Sequence, residues 1–167
     1  MIKICVYEDR SVMRESLKLL LESVPNFKVL GMFPNCKKAD TQILELCPDV
    51  VLMDIDMPEV NGIEGVKRIK NVRPETQIIM LTVFEDDDKI FDAIKAGADG
   101  YLLKNTIPSD LINAIINATS GGSSISPGIA SKVLNAFRAI SNTKIKNNFD
   151  LSKREQEVLE ALVKGFT

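Results

Sequence analysis

Six polar residues stand where short apolar runs end: Glu8 and Asp9 after IKICVY, Asp54 and Asp56 in VVLMDIDMP, Thr82 in QIIMLTV, and Lys104 closing GYLLK. If the first and third runs lie side by side, Glu8, Asp9 and Asp54 crowd together. Each carboxylate pair at ~4 Å then repels by ~4 kcal/mol at an effective dielectric near 20, so the cluster calls for a cation. All the candidate ligands are oxygens, and the chain has no histidine and no suitably spaced thiol. The cation should therefore be hard: Mg²⁺, with Mn²⁺ as a substitute. A carboxylate beside such a metal, faced by a hydroxyl and an ammonium, is suited to accepting a phosphoryl group. Asp54 is the expected nucleophile, Lys104 the group that holds a phosphate oxygen, and Thr82 the hydroxyl that reports the new group by bonding to it. Since histidine is absent, any phosphohistidine donor must belong to another molecule.

The elements that position these residues alternate along the chain. Strands are expected at residues 2 to 7, 27 to 33, 49 to 55, 77 to 83 and 100 to 104, separated by stretches of helical period. VVLM and IIML are continuously apolar, as strands covered by helices on both faces must be. Residues 11 to 24 place Met13, Leu17, Leu20, Leu21 and Val24 on one stripe, with Ser11 as the expected cap and Pro25 as the stop. Asn35 is the expected cap of a second helix that runs to about Cys47. Further helices are predicted from about Gly62 to Val72, from Asp86 to Ala96 with Gly97 as a left-handed exit, and from Ser109 to Ser120. Five strands alternating with five helices predict an α/β fold with a doubly wound parallel sheet, and such sheets bind ligands beyond the carboxyl ends of their strands.

Composition narrows the function classes. With 45% hydrophobic residues in 167, one α/β core and a smaller remainder fit the length, and a net charge of −2 offers no basic field for gripping nucleic acid. Cys5, Cys36 and Cys47 are an odd number without CxxC spacing and read as free thiols of a reducing compartment. The apolar runs are too short to span a bilayer and the N-terminus lacks a signal-peptide core, so a soluble, cytoplasmic protein without a membrane partner is expected. No GxGxxG or GxxxxGK[ST] follows any strand, which argues against nucleotide binding.

Glu8 and Asp9, VVLMDIDMP with Asp54, the Asn61 and Gly62 turn, LTV with Thr82, and GYLLK with Tyr101 and Lys104 together resemble a two-component response regulator of the NarL/FixJ class. The resemblance covers nearly the whole chain. It implies a flavodoxin-like receiver with strand order 2-1-3-4-5 over residues 1–122, a helical linker over 123–149, and the start of a LuxR-type helix-turn-helix over 150–167. It also implies that Asp54 is phosphorylated by a sensor histidine kinase, with self-catalysed phosphotransfer and autodephosphorylation as the only enzymatic activity. Asp9 and Asp54 would supply metal-binding carboxylates, Glu8 would act mainly through water, Asp56 would give its backbone carbonyl, and Tyr101 would be an aromatic switch that turns inward when Thr82 moves. A homodimer is expected on phosphorylation. Promoter DNA is the expected partner of a full-length parent but not of this chain, which ends before a recognition helix.

After the receiver, residues 124 to 141 have helical spacing at Ile129, Val133, Leu134 and Phe137, and SNTKIKNNFD (141 to 150) reads as a polar linker. LSKREQEVLEALVKGFT matches the opening of the LuxR-type module at Leu151, Ser152, Arg154, Glu155, Val158, Leu159 and Leu162. One departure lies in the receiver: the residue after the switch threonine is commonly small in that family and here is Val83, which would narrow access to the acceptor. Two other readings compete. A haloacid-dehalogenase-like phosphatase fits the DxD of Asp54 and Asp56, but its second acidic pair should lie downstream, and Pro58 replaces a small β-branched residue; Asp86, Asp87 and Asp88 fit a helix start better. A pseudo-receiver that only binds partners would usually have lost the acceptor or the acidic pair, and both are present.

Overall fold

The computed structural model describes residues 1–146, so the expected helix-turn-helix opening at 150–167 and the end of the expected linker lie outside the described residues. The elements run β1 (Ile2–Tyr7), α1 (Ser11–Glu22), β2 (Phe27–Phe33), α2 (Ala39–Leu46), β3 (Val50–Met53), α3 (Gly62–Val72), β4 (Gln77–Thr82), α4 (Asp87–Ala96), β5 (Gly100–Leu103), α5 (Pro108–Thr119) and α6 (Pro127–Lys146). All five strands are parallel and their order is β2-β1-β3-β4-β5, the doubly wound arrangement expected from the sequence. Residues Met1–Val133 form one compact unit.

Side-chain alternation along each strand divides the core in two. Cys5, Tyr7, Val51, Met53, Ile78, Met80 and Tyr101 face one way, into a cluster with residues of α2, α3 and α4. Ile4, Val6, Val50, Leu52, Ile79, Leu81 and Leu102 face the other way, against Leu17 and Leu21 of α1 and Leu111 and Ile115 of α5. The central strand β3 is buried at every position, which is why it reads as an unbroken apolar run.

Several element ends differ from expectation. Ser11 is the first residue of α1 rather than its cap; Arg10 holds the cap position with no side-chain bond. Asn35 caps its own turn, its Oδ1 accepting from Lys37 N at 3.1 Å, so α2 starts only at Ala39. The ladder of β3 stops at Met53, leaving Asp54 and Ile55 beyond the strand. Residues 141–146, expected as linker, continue α6. Gly97 ends α4 at φ 104°, as predicted.

The β3–α3 loop is fixed by backbone contacts. Gly62 N donates to Ile55 O at 2.8 Å, and Asn61 caps α3 by accepting from Glu64 N at 2.9 Å. A Cβ on Gly62 would lie 1.8 Å from the Asp54 carbonyl oxygen, a position no L side chain can share. Gly62→Ala is therefore expected to cost roughly 3 kcal/mol or more in urea unfolding by driving the loop off the strand end. A loss below ~1 kcal/mol would show that the loop yields without strain.

Candidate functional site

Strand register brings the polar residues together. Tyr7 of β1 pairs with Met53 of β3, so the next residues, Glu8 and Asp54, emerge side by side, and Asp54 N donates to Tyr7 O at 2.9 Å. Thr82 of β4 pairs with Leu103 of β5, and Lys104 follows with its amide donating to Thr82 O at 2.8 Å. The Lys104 ammonium reaches across the strand ends to Glu8 Oε2 at 2.6 Å and Asp54 Oδ2 at 2.7 Å. One oxygen from each of Glu8, Asp9 and Asp54 lies within 4.8 Å of the others.

The two acidic neighbours differ in environment. Glu8 is 1% exposed and Asp54 4%, whereas Asp9 faces solvent. Burial pushes the Glu8 carboxyl above its ordinary value, against the opposing pull of Lys104. For Lys104, desolvation acts to lower the ammonium pKa, but its bonds to Asp54 and Glu8 outweigh that effect and raise it. Asp54 Oδ1 accepts from Ile55 N at 2.8 Å, which fixes the carboxylate plane.

Thr82 is fully buried, and its Oγ1 accepts from Phe84 N at 3.4 Å, a long and weak bond. Val83, by contrast, is 62% exposed, lying just past the end of β4. Asp56 is exposed on the loop two residues after Asp54. Tyr101 is 1% exposed, with its hydroxyl donating to Phe84 O at 3.0 Å and its pKa pushed up to about 12 by burial. The Tyr101 ring is thus buried in this structure. Residues 124–126 cover the Tyr101 backbone, and Ile125 and Ile129 share the ring's apolar cluster.

Sequence reasoning missed three contributors. Arg14 Nη1 donates to the carbonyls of Glu8 at 2.7 Å and Asp9 at 2.6 Å and so clamps the acidic turn. Glu8 Oε1 accepts from Arg10 N at 3.2 Å, and Ile55 N holds Asp54. An arginine in the first turn after an acidic pair was a readable signal for Arg14; the two backbone donors had none.

The donor set fits a hard divalent cation. It offers carboxylate oxygens, and the Cys5 and Cys36 thiols are buried in the core. Three carboxylates against one ammonium leave the pocket short of positive charge.

The model of the response regulator receiver domain matches residues 4–116, which span every residue of this cluster. The chain belongs to that family. It is 37% identical to the transcriptional regulatory protein LnrK of Bacillus subtilis over 99% of this chain and 78% of LnrK. It is 35% identical to LiaR of the same organism over 100% of this chain and 79% of LiaR. A LuxR-family two-component response regulator from Aurantimonas superposes with a TM-score of 0.76 at 28% identity, covering 81% of this chain and 97% of that one. The response regulator domain of Thermotoga maritima CheB does so at 0.67 and 30% identity, over 72% and 97%. The chain is thus a receiver homologous to transcriptional response regulators of two-component systems, and its similar proteins are regulators rather than enzymes. The phosphatase and pseudo-receiver readings are not favoured. Among the described residues no helix is long and apolar enough to cross a membrane.

Because the folded protein holds the Glu8 proton more tightly than the unfolded chain, the stability linked to Glu8 is fully present below 4.5 and is lost as pH rises through the raised folded value. Without divalent cations, Glu8→Gln is expected to be the more stable protein at pH 7 and to lose less stability on going up from pH ~4.5. Thermal unfolding across that range checks this; parallel curves for mutant and wild type would show that Glu8 titrates as in the open chain.

Proposed function

We propose that Asp54 accepts a phosphoryl group from a phosphohistidine on a sensor histidine kinase, and that the change controls a DNA-binding module in the full-length protein. The observation that carries this reading is the Lys104 bridge between Glu8 and Asp54 within a cluster of three carboxylates, whose negative charge one ammonium does not balance. Ile55 N holds Asp54 Oδ1 and the Lys104 ammonium holds Oδ2, so the attacking carboxylate is oriented through both of its oxygens. The O–P bond forms as the P–N bond breaks, and the imidazole leaves with the bonding pair. As charge passes from the carboxylate to the phosphoryl oxygens, the Lys104 ammonium follows it.

Asp9 and Asp54 would hold Mg²⁺, or Mn²⁺ in its place, with Glu8 acting through water and Asp56 through its backbone carbonyl. The cation would neutralise the charge that builds up on the phosphoryl group. The Thr82 hydroxyl gives up only its long bond to Phe84 N when it turns to a phosphate oxygen, and Tyr101 then passes the shift onward through Phe84 O. Residues 1–122 act as the receiver, 123–149 as a helical linker, and 150–167 as the start of a LuxR-type module whose completed form reads promoter DNA. Phosphorylation favours a homodimer, in the cytoplasm where the kinase's catalytic part resides.

Incubation with Mg²⁺ and acetyl phosphate should add the mass of one phosphate, and Asp54→Asn should abolish the gain. Persistent labelling of that mutant would move the acceptor elsewhere. Thr82→Ala should still be labelled but lose the phosphate-dependent change in oligomeric state seen by light scattering. Equal responses of mutant and wild type would remove the relay.

Val83 adds a steric expectation. Val83 follows Thr82 at the strand end and its branched side chain is exposed, so we place it on the path that a donor or water takes to Asp54. Val83→Ala is expected to speed phosphorylation, dephosphorylation or both by about threefold to tenfold, an effect on the scale of ~1 kcal/mol in the barrier. Unchanged rates would place the gate at another residue.

A further inference from the structure

The open edge of β5 is closed by the chain itself. Tyr101 N donates to Ser124 O at 2.9 Å and Ser126 N donates to Tyr101 O at 3.0 Å, so residues 124–126 pair with the edge like a short sixth strand. Ile125 and Ile129, the latter 1% exposed, enter the same apolar cluster as Tyr101, Ile90 and Phe84. One turn further on, the Lys132 ammonium bonds the backbone carbonyl of Glu85 and pairs with the Asp87 carboxylate at 3.3 Å.

These contacts converge on four consecutive residues. Thr82 Oγ1 accepts from Phe84 N, Phe84 O accepts from Tyr101, and Glu85 O accepts from Lys132. The β4–α4 loop is therefore tied on one side to the hydroxyl expected to meet the phosphate and on the other to the first turns of α6. We propose that residues 124–133 are a latch held on this loop by Lys132, and that latch closure and phosphoryl occupancy of Asp54 oppose each other. The inference rests on the Asp54 reading above.

Its sign follows from the direction of pull. A phosphate on Asp54 draws Thr82, and with it residues 83–85, toward the strand ends. Lys132 holds the same carbonyl toward α6. Satisfying one bond lengthens the other, and coupling of this kind is reciprocal: what weakens the latch tightens the hold on the phosphoryl group. Everything after Val133 is covalently continuous with the latch, so its release is a physical output.

Beryllium fluoride with Mg²⁺ serves as the phosphoryl mimic, and fluorine NMR reports loading. The wild-type protein, once loaded, should exchange the Tyr101 and Ser126 amide hydrogens faster. Lys132→Gln should need about twofold to fivefold less beryllium fluoride for half-saturation, as expected for loss of a partly exposed ion pair and its hydrogen bond. Lys95→Gln, which removes the same charge from the last turn of α4, should leave the midpoint unchanged. A loaded protein with unaltered exchange, or a Lys132→Gln midpoint equal to or above wild type, would overturn the latch alone. So would an equal shift in Lys95→Gln. Absence of any bound fluorine signal would instead overturn the Asp54 reading, and the coupling with it.

Discussion

The Lys104 ammonium between Glu8 and Asp54 is the interaction on which the site depends. Two buried carboxylates that emerge from neighbouring strands repel each other, and one cation bonds both. The sheet order makes that possible. β1 and β3 must be neighbours to juxtapose the acids, and β4 and β5 must follow so that Lys104 arrives across the gap. Arg14 then holds the turn carrying Glu8 and Asp9, and Gly62 lets α3 close over the Asp54 carbonyl without a side chain in the way. The arrangement neutralises part of the charge and leaves the exposed Asp9 for something else.

What could be read from the sequence was whatever follows from repetition. Alternation along the strands sets their faces, and the strand ends point to Glu8, Asp9, Asp54, Thr82 and Lys104. Helix starts were less legible. Ser11 and Asn35 are good capping residues, but a cap is decided by which backbone amide lies in reach, and Asn35 finds its own turn first. The Lys104 bond to Glu8 was also hidden, since the sequence placed the lysine opposite Asp54 but could not say that both acids share it. Arg14, five and six residues beyond the carbonyls that it holds, is a contact set by how the turn folds back on the helix.

Tyr101 marks a different kind of difference. The residue was legible as an aromatic at the right place, while its conformation was not, because the covering segment lies more than twenty positions away in the chain. With the ring buried and the backbone bonded on both strand-edge groups, a swing of the ring would break the edge pairing or expose an apolar surface. The cheaper response to a shift at Thr82 is a change in the bonds made by Phe84 and Glu85.

That difference in cost separates a stiff half of the molecule from a compliant one. Around Asp54 the geometry is set by backbone register: a ladder that ends at Met53, a hydrogen bond from the Asp54 amide to the Tyr7 carbonyl, and a glycine with no room for a methyl group. Around the β4–α4 loop it is set by single side-chain bonds, one of them as long as 3.4 Å and another made by a partly exposed lysine. Backbone networks resist displacement cooperatively, whereas lone bonds near solvent exchange at little net cost. Any free energy introduced at the carboxylate cluster is therefore expressed where the restraints are weakest, along residues 82–87 and the turn of α6 that rests on them, and not in the strand ends that hold the acids.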